Sequence, residues 1–243
     1  MQPLMEPGVY DRLRALRDRM PEQGVPANRA HVFVPVEPEG RPPESNALGV
    51  LIVGRATRGF GGEEVATYEA ALGEARRVVD AHVPAQGTPK RSDFWRFSRA
   101  VVRAALDKLG ASPSARLSDH LGWSNLAKIG DTKGDATPRS LALQAQLCQE
   151  ALRSEMAAMR PHAVVVVTGD YAKHEVFWPV FGADGWRSER ANWTEWRWKA
   201  GVQGSPLVVW TEYPRARPDL AEAAMPIGAK IAAAVAAVRT ASA

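Results

Sequence analysis

The sequence predicts an α/β fold of three layers, α/β/α, around a central, mostly parallel four-stranded sheet. Three observations carry that expectation. Four short, largely apolar runs, "VLIV", "LGWSNLAKI", "HAVVVVTG" and "PLVVWTEYP", start at Val50, Leu121, His162 and Pro206. Such continuous runs are expected of strands buried on both faces. Stretches of helical period separate them, and helices alternating with strands indicate a parallel sheet covered on both sides. Finally, 243 residues suit one substantial core, so 1–243 reads as a single domain.

The elements follow in order. Residues 4–20 read as a helix, because Leu4, Leu13, Leu16 and Met20 recur near helical spacing. Residues 21–47 are rich in Pro and Gly and form a connection packed over the body. Val50–Val53 is the first strand, and the pattern turns helical from Glu63 to about His82. Ser92 and Asp93 offer a cap for a helix ending near Gly110. The second strand covers 121–129, after which Thr137 caps a helix to Met159 with Pro138 in its first turn. The third strand leads into a helix after Asp170, and 186–200 alternates aromatic and charged positions as a hairpin does. The fourth strand precedes an Ala-rich final helix, Asp219–Arg239.

Composition narrows the function classes. Hydrophobic content of 45% and charged content of 24% are ordinary for a globular protein. No run of about 18 apolar residues is seen, and the amphipathic N-terminus lacks the apolar centre of a signal peptide, so a cytoplasmic protein without a membrane partner is expected. Cys148 is the single cysteine, which excludes intramolecular disulfides and cysteine-ligated metal, and its place among Leu147 and Leu152 reads as core filler. The five histidines are isolated, so no metal and no cofactor is expected. His162, at a strand edge, reads as satisfied structure. Dinucleotide, P-loop and nucleophile-elbow glycine patterns are missing. A net charge of +4 points toward a polyanionic partner.

In such sheets ligands bind beyond the carboxyl ends of the strands. Those ends carry "GRATRGFGG", "SNLAKIGD", "TGD" and "TEYPRARP", so the glycine loop, Asn125, Asp170 and the Tyr213 segment are expected to converge.

The ordered set "LGVLIVGRATRG", "WSNLAKIGDTKGDATPRSLALQAQLCQEALRSEMAAMRPHAVVVVTGDYA" and "LVVWTEYPRARP" resembles the uracil-DNA glycosylase superfamily. The likeness runs from Leu48 to Pro218 and is closest from Asn125 to Gly169. It implies an uracil-DNA glycosylase-like fold in which Asn125 faces a flipped base and hydrogen-bonds its edge. The alternative is an Asn that satisfies strand-end backbone groups. Two departures stand out. Where the superfamily places Asp or Asn beside Pro to position water, this chain has Arg55-Ala56-Thr57, and its His-Pro-Ser histidine corresponds to Tyr213. The four cysteines of the cluster-bearing branch are also absent.

The resemblance therefore implies Asn125, Arg55 and Tyr213 as catalytic groups and Gly54, Ala56, Thr57, Phe60 and Asn125 as the base pocket. Three glycines around Phe60 leave room for a base enlarged at C5, with Arg55 or Arg58 on its substituent. Arg58, Lys128, Arg215 and Arg217 are the expected DNA contacts, with Lys133 and Lys173 as further phosphate candidates. Replacement acids or bases are Glu63, Glu64, Asp131, Asp170 and Glu212. On a regular strand only one of Glu212 and Tyr213 faces the cleft. Trp193, Trp196 and Trp198 form either a stacking platform for unpaired bases or a cover over the sheet edge.

The implied function is a DNA glycosylase that flips a modified base, such as a bulky modified pyrimidine of phage DNA. It would hydrolyse the N-glycosidic bond to leave an abasic site, with anti-phage defence as the setting. The partner is then DNA and the enzyme a monomer. The alternatives are a non-catalytic DNA-binding protein with this fold, or a hydrolase of nucleosides or RNA.

Overall fold

A computed structural model describes residues 4–25, 32–39, 48–56, 67–84, 88–130, 136–169, 177–191, 194–200, 205–214 and 219–241. Six strands form one sheet: β1 Val50–Gly54, β2 Leu121–Asn125, β3 Ala163–Val167, β4 Arg187–Ala191, β5 Thr194–Lys199 and β6 Leu207–Thr211. The helices are α1 Pro7–Arg19, α2 Tyr68–His82, α3 Asp93–Lys108, α4 Pro138–Met159, the short α5 Trp178–Phe181 and α6 Leu220–Ala241.

The order across the sheet is β2-β1-β3-β6-β5-β4. The first four strands are parallel, and β5 and β4 are antiparallel additions. The expected four-stranded sheet is thus six-stranded. The 186–200 hairpin joins it because Trp196 through Lys199 hydrogen-bonds alongside β6. Its outer strand, "RSERA", carries charges at the open edge, which discourages further strand addition. At the opposite edge Val36 and Trp123 exchange backbone hydrogen bonds of 2.9 and 2.8 Å, so 32–39 covers β2.

Alternation along the buried strands sorts side chains to two faces. Val50, Ile52, Trp123, Val165 and Val209 meet α3 and α6, whereas Leu51, Val53, Val164, Val166 and Val208 meet α1 and α4. Helix α2 contributes Ala71 to the second core and Ala75 and Val79 to the first. Thr137 caps α4 by accepting from the Ser140 amide at 3.2 Å, with Pro138 at the helix start. Ser92 occupies the N-cap position of α3, but its hydroxyl makes no capping bond.

Among the described residues one helix, Leu220–Thr240, is long and apolar enough by composition to cross a membrane. The stripe Leu220, Ala223, Ala224, Ile227, Ile231 and Val235 is buried in the core shared with α3. Gly228 makes that crossing close, since a Cβ there would lie 2.5 Å from the Cβ of Ala104. His162 accepts from the Gly49 amide through Nδ1 at 3.2 Å, the structural role expected of it.

Candidate functional site

The parallel order places β1 between β2 and β3, and the chain leaves β1 toward β2 but leaves β3 toward β6. The crevice at such a reversal, beyond the carboxyl ends of the strands, is where open α/β sheets bind ligands. Arg55, directly after β1, spans it. Its Nε donates to the carbonyl of Thr168, just past β3, at 2.9 Å. Its guanidinium carbon lies 4.5 Å from the centroid of the Tyr213 ring, a cation–π contact. Gly169 lets these groups meet. At φ +57° it adopts a left-handed conformation, and a Cβ there would lie 3.0 Å from the Tyr213 amide nitrogen and 3.6 Å from an Arg55 nitrogen.

On the other side of β1, Asn125 ends β2 in register with Gly54. The contact is close: a Cβ on Gly54 would lie 2.5 Å from the Asn125 side-chain oxygen. Gly54 has an ordinary extended backbone, so it is the approach of the carboxamide that requires glycine here. Asn125 is 2% exposed, and its Nδ2 finds no hydrogen-bond partner among the described residues. Leaving such a buried donor unmatched costs about 1–3 kcal/mol. A buried amide of this kind calls for an explanation, and a ligand acceptor is one.

Phe94, in the first turn of α3, was not legible as a site residue. Its ring lies 3.4 Å from the position of a Cβ on Gly54 and is nearly parallel to Tyr213, with centroids 6.4 Å apart. The sequence "SDFWRF" signals only a helix start with core aromatics; nothing local says that this turn sits over the end of β1.

The structure thus brings together Gly54, Arg55, Asn125 and Tyr213, whereas half-buried Ala56, expected in the base pocket, packs against the α1/α4 core on the other face of the sheet. Glu212 is exposed while Tyr213 turns inward, so the alternation favours the tyrosine. Thr57, Arg58, Phe60, Arg215 and Arg217 lie outside the described residues, as do Glu63, Glu64, Asp131, Asp170, Lys133, Lys173 and Trp193.

Lys128 corrects an expectation. Assigned to DNA phosphate, it is instead fully buried on the opposite face, where its Nζ lies 2.6 Å from Oε1 of Glu155 and donates to Ser124 Oγ at 2.7 Å. Ser124 Oγ in turn donates to Oε2 of Glu155 at 2.6 Å. The cause is the turn after β2, which carries Lys128 under the sheet toward α4. Burial pushes the Glu155 carboxyl up, opposed by the Lys128 ammonium and the Ser124 hydroxyl.

The Trp hairpin is also settled in part. Trp196 is buried in the core beside β6, and Trp198 has the Lys230 nitrogen at 4.1 Å and the Arg187 guanidinium at 5.1 Å from its ring centroid. These two indoles cover the sheet rather than present open stacking faces. Among the described residues no group of three or more His, Cys, Asp or Glu is placed to hold a metal ion. No protein-family model matches the chain, and no curated protein matches it.

Proposed function

We propose that this protein is a DNA glycosylase that receives an extruded, modified base at the carboxyl ends of β1, β2 and β3. The observation that carries this reading is the buried side-chain nitrogen of Asn125, which has no hydrogen-bond partner among the described residues, in a carboxamide pressed against Gly54. A carboxamide offers both a donor and an acceptor, the pair needed to read the edge of a pyrimidine. The likeness of the "WSNLAKI" segment to the glycosylase superfamily points to the same residue.

N-glycosidic cleavage develops positive charge on the sugar and negative charge on the departing base. Arg55 brings a permanent positive charge to the switch point, held by the Thr168 carbonyl and the Tyr213 ring. A preorganised cation there stabilises the leaving base more strongly than one in water. Arg55 and Tyr213 thus take the place of the histidine that the superfamily uses. Flipping costs a few kcal/mol, least for a mismatched, damaged or unpaired base, so choice of a C5-modified base would rest on the pocket rather than on extrusion.

A second reading also has an observation behind it. The side chains following Gly54 are Arg55 and Ala56, neither of which can activate water, as in a DNA-binding protein that has lost the chemistry.

The test incubates purified protein with duplexes and phage DNAs carrying different bases and scores alkali-labile sites. Release from one modified base, abolished in Asn125→Ala at unchanged melting temperature, supports the glycosylase. Tight binding without release from any substrate supports the second reading.

A further inference from the structure

The cluster of Lys128, Glu155 and Ser124 is sealed from solvent and has no part in the chemistry above. Replacing a buried ion pair by apolar groups of similar volume is often neutral or stabilising, so stability is a weak reason to keep one. Its location supplies another. Ser124 immediately precedes Asn125, and Lys128 follows three residues later. Their side chains close a ring with Glu155 of α4 beneath the strand end.

The backbone in between is tied down as well. The amides of Leu126 and Ala127 donate to the carbonyls of Gly54 and Arg55, each at 2.9 Å. The Phe33 amide donates to the Lys128 carbonyl at 2.8 Å. Gln144 grips both sides of Ile129, accepting from its amide at 2.8 Å and donating to its carbonyl at 2.9 Å. By contrast, Nδ2 of Asn125 has no hydrogen-bond partner among the described residues. A side chain whose amide nitrogen makes no bond takes its aim from packing and from the backbone that carries it.

We propose that the Lys128–Glu155–Ser124 cluster positions Asn125: it fixes the end of β2 from the far face of the sheet and so aims the carboxamide into the site. The three are positioning residues, acting through Asn125 without touching the ligand. That the aimed group reads a base rests on the function proposed above; that the cluster aims it does not.

The test uses the full chain with Lys128→Met and Glu155→Leu combined, which removes both charges and leaves no lone ion buried. Three quantities are read: the melting temperature, the side-chain amide resonances of Asn125 in 15N-labelled protein, assigned by their loss in Asn125→Asp, and base release. The expected result is a folded variant with a melting temperature near the parent's, displaced Asn125 resonances, and kcat lower by about 10²-fold, the scale of an ångström-level misplacement. A role in stability alone would lower the melting temperature and leave the resonances and kcat of the folded molecules untouched; that result overturns the proposal. Should the double variant not fold, Ser124→Ala is read the same way, with a smaller displacement in support and an unmoved resonance against. If the parent releases no base from any DNA, the glycosylase reading fails while the resonances still decide this inference.

Discussion

Gly54→Ala puts the geometry of the site under direct test. The added Cβ would stand 2.5 Å from the Asn125 side-chain oxygen and 3.4 Å from the Phe94 ring. Restoring an ordinary contact of 3.4 Å moves that oxygen by about 0.9 Å. Neither neighbour yields easily, since Asn125 and Phe94 are both buried. Overpacking of this kind costs about 1–3 kcal/mol. Alanine recovers about 0.4–1 kcal/mol by restricting the unfolded chain, leaving a net loss of up to about 2.6 kcal/mol. In a chain of this size each kcal/mol is worth about 2–4 °C, giving a drop of up to about 10 °C. On the function proposed above, the effect on base release is larger, about 10²-fold in kcat, because the displaced atom belongs to the group proposed to read the base. Differential scanning fluorimetry and single-turnover release measure the two. Gly73→Ala serves as control: it sits on an exposed face of α2 with nothing within 4 Å of its Cβ, and gains about 0.5–1 kcal/mol. If Gly54→Ala matched the parent in both stability and release, the close approach of Asn125 to β1 would be wrong.

Three further expectations concern the frame around the site. Gly228→Ala destabilises despite alanine's helix propensity advantage of about 1 kcal/mol, because its Cβ meets Ala104 Cβ at 2.5 Å and the Ala105 amide nitrogen at 2.8 Å; chemical denaturation would show a lower midpoint, and an increase would contradict the crossing. The Cys148 thiol, pushed up to about 12 by burial, stays unreactive toward a thiol-modifying disulfide at neutral pH and reacts only on unfolding; stoichiometric labelling of the native protein would contradict its sealed position. His82 is held below its ordinary 6.5 by burial first, then by Arg99 and Lys90, so the folded state favours the neutral ring. Its contribution is present above 6.5 and lost as pH falls through the lowered value, so His82→Gln should flatten the melting temperature against pH in that acid range.

The parallel strands, the capped start of α4 and the hairpin were legible because each is written locally. Val164 through Val167 form a strand buried on both faces whatever their neighbours are, and Thr137-Pro138 begins a helix from its own hydroxyl and fixed φ. Gly54 was legible as a strand end, and a strand end in a parallel sheet is already a candidate site; the second strand, expected over 121–129, stops at Asn125, because the chain then turns and carries Lys128 under the sheet.

Lys128 was misread because a lysine after a strand is ordinarily solvated, and only Glu155, far along the chain on α4, makes its burial tolerable. The hairpin could be seen, but whether it stood free or extended the sheet depended on the edge offered by β6. Phe94 and Tyr213 lie on elements with no local relation, and packing α3 over the sheet made their rings neighbours. By itself, then, the sequence determined period, caps and the residues at strand ends, which follow from bonds and contacts a few positions apart. The tertiary structure alone decided which charges are sealed, which aromatics face each other, and that Asn125 has a buried amide nitrogen without a partner among the described residues, because desolvation depends on the sum of everything packed around a group.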